Sequence, residues 1–300
     1  MEDLNIKKDI NILIKKSNIE FVNNKCIINV SEEDYRSLNE TIRTLLKEKK
    51  KSKNSILNSD LASLPDFELI EINNVLGQRY IGDGLQSGIK ININGVPGND
   101  LAAFMKGPFI EVFGNVQDGP GNTMDSGKIV IHGNAGDITG YSMRGGEIYV
   151  KNNVGYRSGI HMKSYFDKFP VIVIGGKAGN FLGEYMAGGI IIVLGINFSD
   201  DSLGRNKNNF FILSDDEPVG NFVGTGMHGG KIFVRGNISD YKLGKEIIKS
   251  ELDEEDKAII TKYLNEYYKF FGNITEKINV NDFTKLAPYS KRPYGKLYAY

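Results

Sequence analysis

The methionines of this 300-residue chain keep a fixed period. Apart from Met1 they are Met105, Met124, Met143, Met162, Met186 and Met227, and the first three steps are 19 residues each, followed by 24 and 41. Spacing this regular demands a repeated structural unit. A unit of about 20 residues is too small to bury its own apolar side chains, so it must stack on copies of itself.

Glycine follows the same period. None of the 35 glycines precedes Gly77, and only Gly244, Gly272 and Gly295 follow Gly236, which leaves 32 in between. Aligned on methionine, the unit reads Gly-x-x-x-Gly-x-x-Met-x-Gly-Gly and then a short strand. Gly136, Gly140, Met143, Gly145 and Gly146 fit it fully, as do Gly179, Gly183, Met186, Gly188 and Gly189, and Gly220, Gly224, Met227, Gly229 and Gly230. A copy through Gly155, Gly159 and Met162 departs at Ser164 and Tyr165. An earlier copy carries Leu85 in the methionine slot, and Gly195–Asn209 reads as a degraded copy without methionine.

A flexible glycine-rich linker is excluded, because β-branched runs punctuate the stretch: Ile89–Ile93, Phe109–Phe113, Ile129–Ile131, Val171–Ile174, Ile190–Leu194, Phe210–Leu213 and Ile232–Val234. One strand and several glycine bends per period make a mainly β chain, a parallel β-helix. The methionines form an internal ladder, where an unbranched thioether fills irregular space. The rival solenoid of this period, the leucine-rich repeat, needs a Leu-x-x-Leu-x-Leu signature that is absent. Leu69–Val234 has room for eight or nine coils.

Three regions follow: an N-terminal strand–helix segment and linker at 1–66, the β-helix at 67–240, and a C-terminal helix with a tyrosine-rich tail at 241–300. Lys25–Val30 reads as a strand. Ser31-Glu32-Glu33-Asp34 resembles a capping box ahead of a helix with Tyr35, Leu38, Ile42 and Leu45 on one face. Lys47–Lys53 is its solvated end and Lys47–Asn58 a linker. Acidic Asp253–Asp256 opens an amphipathic helix through Ile259, Ile260, Tyr263, Leu264, Tyr267 and Phe271, with Gly272 as its stop. The N-terminal unit and Lys242–Phe271 are natural caps for the solenoid ends, which a partner or a second copy could also cover. The tail Pro288–Tyr300, with its four tyrosines, is expected to pack along the solenoid or against a partner.

Lys+Arg and Asp+Glu are both 37, which argues against a nucleic-acid binder. Cys26 is the sole cysteine, so no internal disulfide forms and a reducing compartment is the default. It lies in an apolar strand context and reads as a small core residue. The first 15 residues lack a signal-peptide apolar region, and no run reaches the roughly 18 apolar residues of a membrane span. A cytoplasmic protein with no membrane contact is expected.

Chemistry is sparse. His132, His161 and His228 occupy three different registers, and no cysteine set for zinc or an iron–sulfur cluster exists. Gly224–Gly229 matches a dinucleotide-binding glycine pattern, but a strand follows where a helix is needed. Neither a Walker A loop nor a G-x-S-x-G elbow occurs. Asp118, Asp137 and Glu184 read as solvated corners. No catalytic, cofactor-binding or metal-binding residue is assigned. The longest irregularity, Lys163–Pro170, stretches one coil by five residues and brings Tyr165, Phe166 and Phe169 close to His161 and Lys163. An insertion on a solenoid often marks its binding face, so these five residues are the candidate partner-contact loop.

The repeat, above all the Gly-Glu-Tyr-Met-Ala-Gly-Gly-Ile-Ile-Ile-Val-Leu-Gly run within Gly179–Gly195, resembles the GXGXG domain, the C-terminal part of the glutamate synthase large subunit, which also occurs as a separate protein. The resemblance covers roughly Leu69–Gly236 and implies a right-handed β-helix. In that family one domain releases ammonia from glutamine with an N-terminal cysteine, and a barrel with FMN and an iron–sulfur cluster adds it reductively to 2-oxoglutarate. The β-helix is implied to be a scaffold without catalytic residues. The resemblance therefore implies a non-catalytic subunit of an oxidoreductase of glutamate biosynthesis and nitrogen metabolism. Its expected partners are a glutamine amidotransferase subunit and a flavin/iron–sulfur synthase subunit, which hold the cofactors. This chain begins Met1-Glu2 and offers no cysteine for either chemistry. The repeat is also similar to the β-helix component of formylmethanofuran dehydrogenase, another redox complex. A free-standing enzyme with its site on the Lys163–Pro170 loop is the alternative from a different class.

Overall fold

A computed structural model describes residues 18–30, 34–54, 64–198, 211–213, 216–272 and 278–290, without the side chains of 51–54, 198 and 211–213. Its centre is a parallel β-solenoid of about six turns. Strands β1 (Ile19–Val22), β2 (Lys25–Asn29), β3 (Leu69–Leu76), β4 (Lys90–Val96), β5 (Lys106–Phe113), β6 (Ser126–Ile131), β7 (Gly146–Val150), β8 (Pro170–Ile174) and β9 (Ala187–Val193) stack in chain order. Then β12 (Gly229–Arg235), β14 (Phe283–Pro288) and β13 (Ile247–Ser250) complete a 12-stranded sheet. From β2 to β12 the pairing is parallel.

Alternation along each strand decides what the sheet buries. Inward positions align in register as Cys26, Ile70, Ile91, Ile110, Ile129, Ile148, Ile172, Ile191 and Ile232, all fully buried. Cys26 thus starts an isoleucine ladder, and burial pushes its thiol pKa up to about 12, so it is packing and not a nucleophile. All six internal methionines and Leu85 are buried in the same core, as their spacing predicts.

One turn explains the glycine motif. A Cβ at Gly136 would stand 2.2 Å from Asp118 Oδ1 of the preceding turn, one at Gly140 2.5 Å from Ile172 Cδ1, and one at Gly146 2.4 Å from the Met124 methyl. The isoleucine ladder, the methionine ladder and a corner ladder of Asn and Asp side chains each occupy the space a side chain would need. In that corner ladder Asp118 Oδ1 accepts from Asp137 N–H at 2.9 Å and Asp137 Oδ1 from Tyr156 N–H at 2.8 Å. A second row links Asn115, Asn134 and Asn153 to the backbone N–H of the next turn. Asp118 and Asp137 are exposed, as expected, but they are structural acceptors.

The second apolar cluster lies on the outer face of the sheet. Val130, Tyr149, Val173, Ile192 and Phe233 point out and are covered by helix α2 (Glu254–Phe271) through Ile260, Tyr263, Leu264, Tyr267 and Phe271. Asp253 and Asp256 form its capping box. Asp256 is fully buried against Lys231, 2.6 Å away on β12, and Lys285 on β14. Burial raises the Asp256 pKa, but the hydrogen bonds from both lysines outweigh this and leave it below the ordinary carboxylate value. Tyr267 donates to the Lys151 carbonyl at 2.8 Å.

At the N-terminal end, β1 and β2 form a hairpin through Asn23 and Asn24, both at positive φ, the two-residue turn that matches strand twist. Helix α1 (Tyr35–Asn54) buries Leu38, Ile42 and Leu45 in the solenoid core with Tyr35 half-buried.

Four expectations need correction. Asp34 itself accepts from the Arg36 and Ser37 N–H groups at the start of α1; Ser31–Glu33 lie outside the described residues. The helix runs to Asn54, so Lys47–Lys53 is its end, as expected, and only the linker reading of that stretch fails; residues 55–63 lie outside the described residues. Of the segment 195–209, read as a degraded coil, β10 (Ile196–Phe198) pairs antiparallel with β11 (Phe211–Leu213) in a separate sheet, β9 pairs directly with β12, and residues 199–209 lie outside the described residues. Eight parallel strands, β3 to β9 and β12, therefore stack between Leu69 and Val234. Finally, Leu243 and Ile247 close the C-terminal end of the core, whereas α2 lies along the flank. Of the tail, residues 291–300 lie outside the described residues.

Candidate functional site

Each turn contains two residues in the left-handed backbone region whose N–H groups point along the rod and donate to the next turn. One row runs Tyr80, Asp100, Gly119, Ile138, Arg157 and Phe181, donating to the carbonyls of Asn99, Asp118, Asp137, Tyr156, Asn180 and Asn221. Phe222 continues it at φ +63°. The other runs Gly84, Phe104, Thr123, Ser142, His161 and Tyr185, donating to Ala103, Asn122, Tyr141, Ile160, Glu184 and Thr225, with Gly226 next in register at φ +68°. The backbone bond requires the conformation, and glycine satisfies it without strain. An L-residue there costs roughly 1–2 kcal/mol, and β-branched Thr123 and Ile138 are the most unusual cases.

The side chains of these rows stack on the surface. Phe181 and Phe222 lie face to face with centroids 4.9 Å apart, and the Arg157 guanidinium sits 5.1 Å from the Phe181 centroid. Arg157 Nε donates to Glu184 Oε2 at 2.9 Å. Glu184, expected as a solvated corner, is instead buried. His161 and Tyr185 stack at 5.3 Å, with Tyr141 edge-on to His161.

The candidate loop adjoins this face. Tyr165 and Lys168 exchange both backbone hydrogen bonds around a tight turn with Phe166 at φ +54°. Tyr165 packs edge-on against Phe166, which is 89% exposed. Lys168 reaches Asp125 at 3.5 Å, and Ser164 lies against Gly188 of the next turn. Lys163 and Phe169 are exposed. The structure thus joins Tyr165 to Phe166, but places the His161 ring with Tyr141 and Tyr185. The stacked rows on the neighbouring turns were not read from the sequence, although the positions of Arg157, Phe181 and Phe222 carry the same period as the methionines.

Other titratable groups are engaged in structure. His132 Nε2 shares a hydrogen bond with Glu111 at 2.9 Å, and its ring lies between Phe113 and Phe271. Burial raises the Glu111 pKa, but hydrogen bonds from His132 and Lys90 outweigh it and leave the carboxyl below its ordinary value. Among the described residues no group of three or more His, Cys, Asp or Glu is placed to hold a metal ion, and no helix is long and apolar enough to cross a membrane.

These features define a class: a glycine-cornered β-solenoid that spends its polar side chains on its own rungs and presents an aromatic flank. The chain matches the GXGXG motif family across residues 34–291 and belongs to it. It is 48% identical over 276 residues to the uncharacterized protein MJ1350 of Methanocaldococcus jannaschii, a match covering 91% of this chain and 95% of that one. It is also 25% identical over 208 residues to the ferredoxin-dependent glutamate synthase 2 of Synechocystis sp. strain PCC 6803, covering 64% of this chain and 12% of that protein. The distant likeness to the glutamate synthase large subunit, read from the motif, is present.

Proposed function

We propose that this chain is the non-catalytic scaffold of a glutamate-synthase-like complex in the cytoplasm, supporting glutamine-dependent reductive amination of 2-oxoglutarate. The observation that carries the reading is the match to one segment of a much larger ferredoxin-dependent glutamate synthase. Because the match covers only 12% of that protein, the proposal assigns the chemistry to partner chains. Those are a glutamine amidotransferase and a synthase subunit with FMN and an iron–sulfur cluster. The solid core supports the reading: apolar ladders fill the interior of the turns, which suits a spacer more than a container.

The test is gentle affinity purification of the full chain from its native organism, with mass spectrometry and flavin absorbance of the eluate. Recovery of both an amidotransferase and a flavin/iron–sulfur protein is expected. A chain that elutes alone at low salt, or with molybdenum or tungsten subunits, overturns the proposal.

A further inference from the structure

We propose that the pocket between helix α1 and the 80–83 turn of the solenoid binds a nucleoside diphosphate. The pocket measures about 500 Å³, within the roughly 300–1,000 Å³ of small-molecule sites. Its walls are fixed to each other. Asn39, only 6% exposed, donates through Nδ2 to the carbonyls of Tyr35 and Arg79 at 2.7 and 2.8 Å. Arg43 donates to the Asp83 carbonyl at 3.2 Å and to the Asp83 carboxylate at 3.3 Å. Helix and turn are pinned at two points, so the pocket between them is part of the fold.

The groups left free in the pocket define the ligand. Both hydrogen bonds of Asn39 leave from its nitrogen, so Oδ1 has no partner among the described residues, yet it keeps solvent access at the pocket wall. Buried residues rarely leave a polar atom unpaired, and this acceptor calls for a donor such as the exocyclic amine of a base. Beside it Tyr35 and Tyr80 meet at 56° with centroids 5.8 Å apart, which leaves a face of exposed Tyr80 for a flat ring. Further along α1, Thr44 and Lys47 line the pocket next to Arg43, their side chains without partners among the described residues. A hydroxyl, an ammonium and a guanidinium together suit a phosphate. Glu40, also unpartnered among the described residues, lies between the two ends, where a carboxylate accepts from ribose hydroxyls.

The order of these groups along the helix separates a nucleotide from a simple anion. Arg36, at the aromatic end, is held on Tyr35, with its guanidinium 5.5 Å from the ring centroid and Nε donating to the hydroxyl at 3.1 Å. The free positive charge therefore lies at the Lys47 end. Asn39 and Lys47 are eight residues apart on α1, about 12 Å, a span that base, ribose and two phosphates fill and a lone phosphate does not.

The site lies within this chain, so its test does not depend on the scaffold reading. ADP, GDP and CDP, each with an exocyclic amine, are titrated calorimetrically into the purified full-length protein, alongside the matching nucleosides and pyrophosphate. At least one diphosphate is expected to bind with Kd below about 100 µM, and its nucleoside and pyrophosphate at least about tenfold more weakly. Lys47→Ala removes a side chain without a partner and should weaken the nucleotide about tenfold, the worth of one hydrogen bond to a charged group. Tyr80→Gly, which suits the local φ of +60°, should weaken it by a similar factor. If that variant fails to fold, Tyr80→Asn replaces it, because asparagine also tolerates this conformation. Absence of binding by all three diphosphates up to about 1 mM, pyrophosphate binding as tightly as the nucleotide, or unchanged affinity in either variant would each overturn the proposal.

Discussion

At Gly140 and at Phe222 the backbone takes nearly the same left-handed turn, φ +70° against +63°, yet one position holds no side chain and the other a phenyl ring. Gly140 faces the interior, where Ile172 Cδ1 fills the space. Phe222 faces solvent and stacks on Phe181. Inside, the neighbouring turn leaves room for little more than hydrogen, and buried Ala102 is the largest residue found in that register among the described residues. Outside, the same conformation leaves the residue type open, and the chain fills it with rings at a cost in strain. A shared backbone geometry therefore records packing on one side of the rod and surface stacking on the other.

Four substitutions test this contrast, from the largest effect to the smallest. Met143→Glu places a charge in the dry methionine ladder and should prevent cooperative folding, seen as loss of the circular-dichroism melting transition. An unchanged melting temperature would refute the register. Asp256→Ala leaves Lys231 and Lys285 without their buried partner and should cost about 3–5 kcal/mol in urea unfolding. Because the folded Asp256 pKa is depressed, its contribution is fully present above the unfolded carboxylate value. It disappears as pH falls through the folded value, so the gap between wild type and Asp256→Ala should close in acid. Gly140→Ala meets the movable end of Ile172 at an unfavourable φ and should cost about 1–2 kcal/mol. Phe222→Gly should change stability by less than about 0.5 kcal/mol. Relief of about 1–2 kcal/mol of left-handed strain is offset by a lost ring contact of about 0.5–1.5 kcal/mol and by the added chain entropy of glycine. If Gly140→Ala and Phe222→Gly proved equally costly, the contrast would fail.

The period was legible because packing wrote it into the sequence. Met124 and Gly146 occur where they do because a methyl of one turn occupies the Cβ site of the next. The Asn115–Asn134–Asn153 row has the same spacing, but polar residues at corners look like ordinary solvated surface until their N–H donors are seen. The excursion at β10–β11 escaped notice because β-branched residues suit an antiparallel pair as well as a coil. The position of α2 was encoded in outward-facing Val130, Tyr149 and Phe233, whose meaning depends on knowing which side of each strand is inside. For the aromatic flank, sequence reasoning found the inserted loop and missed the stacked rows beside it. The handedness of a backbone turn leaves no mark when the residue occupying it is not glycine.

Helix α2 has a consequence for cooperativity. A solenoid is a nearly one-dimensional array, in which each rung is held by its neighbours and unravelling can start at an end. Its 18 residues extend about 27 Å, close to the five spacings of about 4.8 Å that separate β5 from β12. Its ends reach both: Phe270 packs against Phe109 on β5, and Asp256 binds Lys231 on β12. The helix acts as a splint that ties six rungs into one unit, so local fraying there requires its release. Amide hydrogens from β5 to β12 should then exchange as a single group, while the turns before β5 open independently.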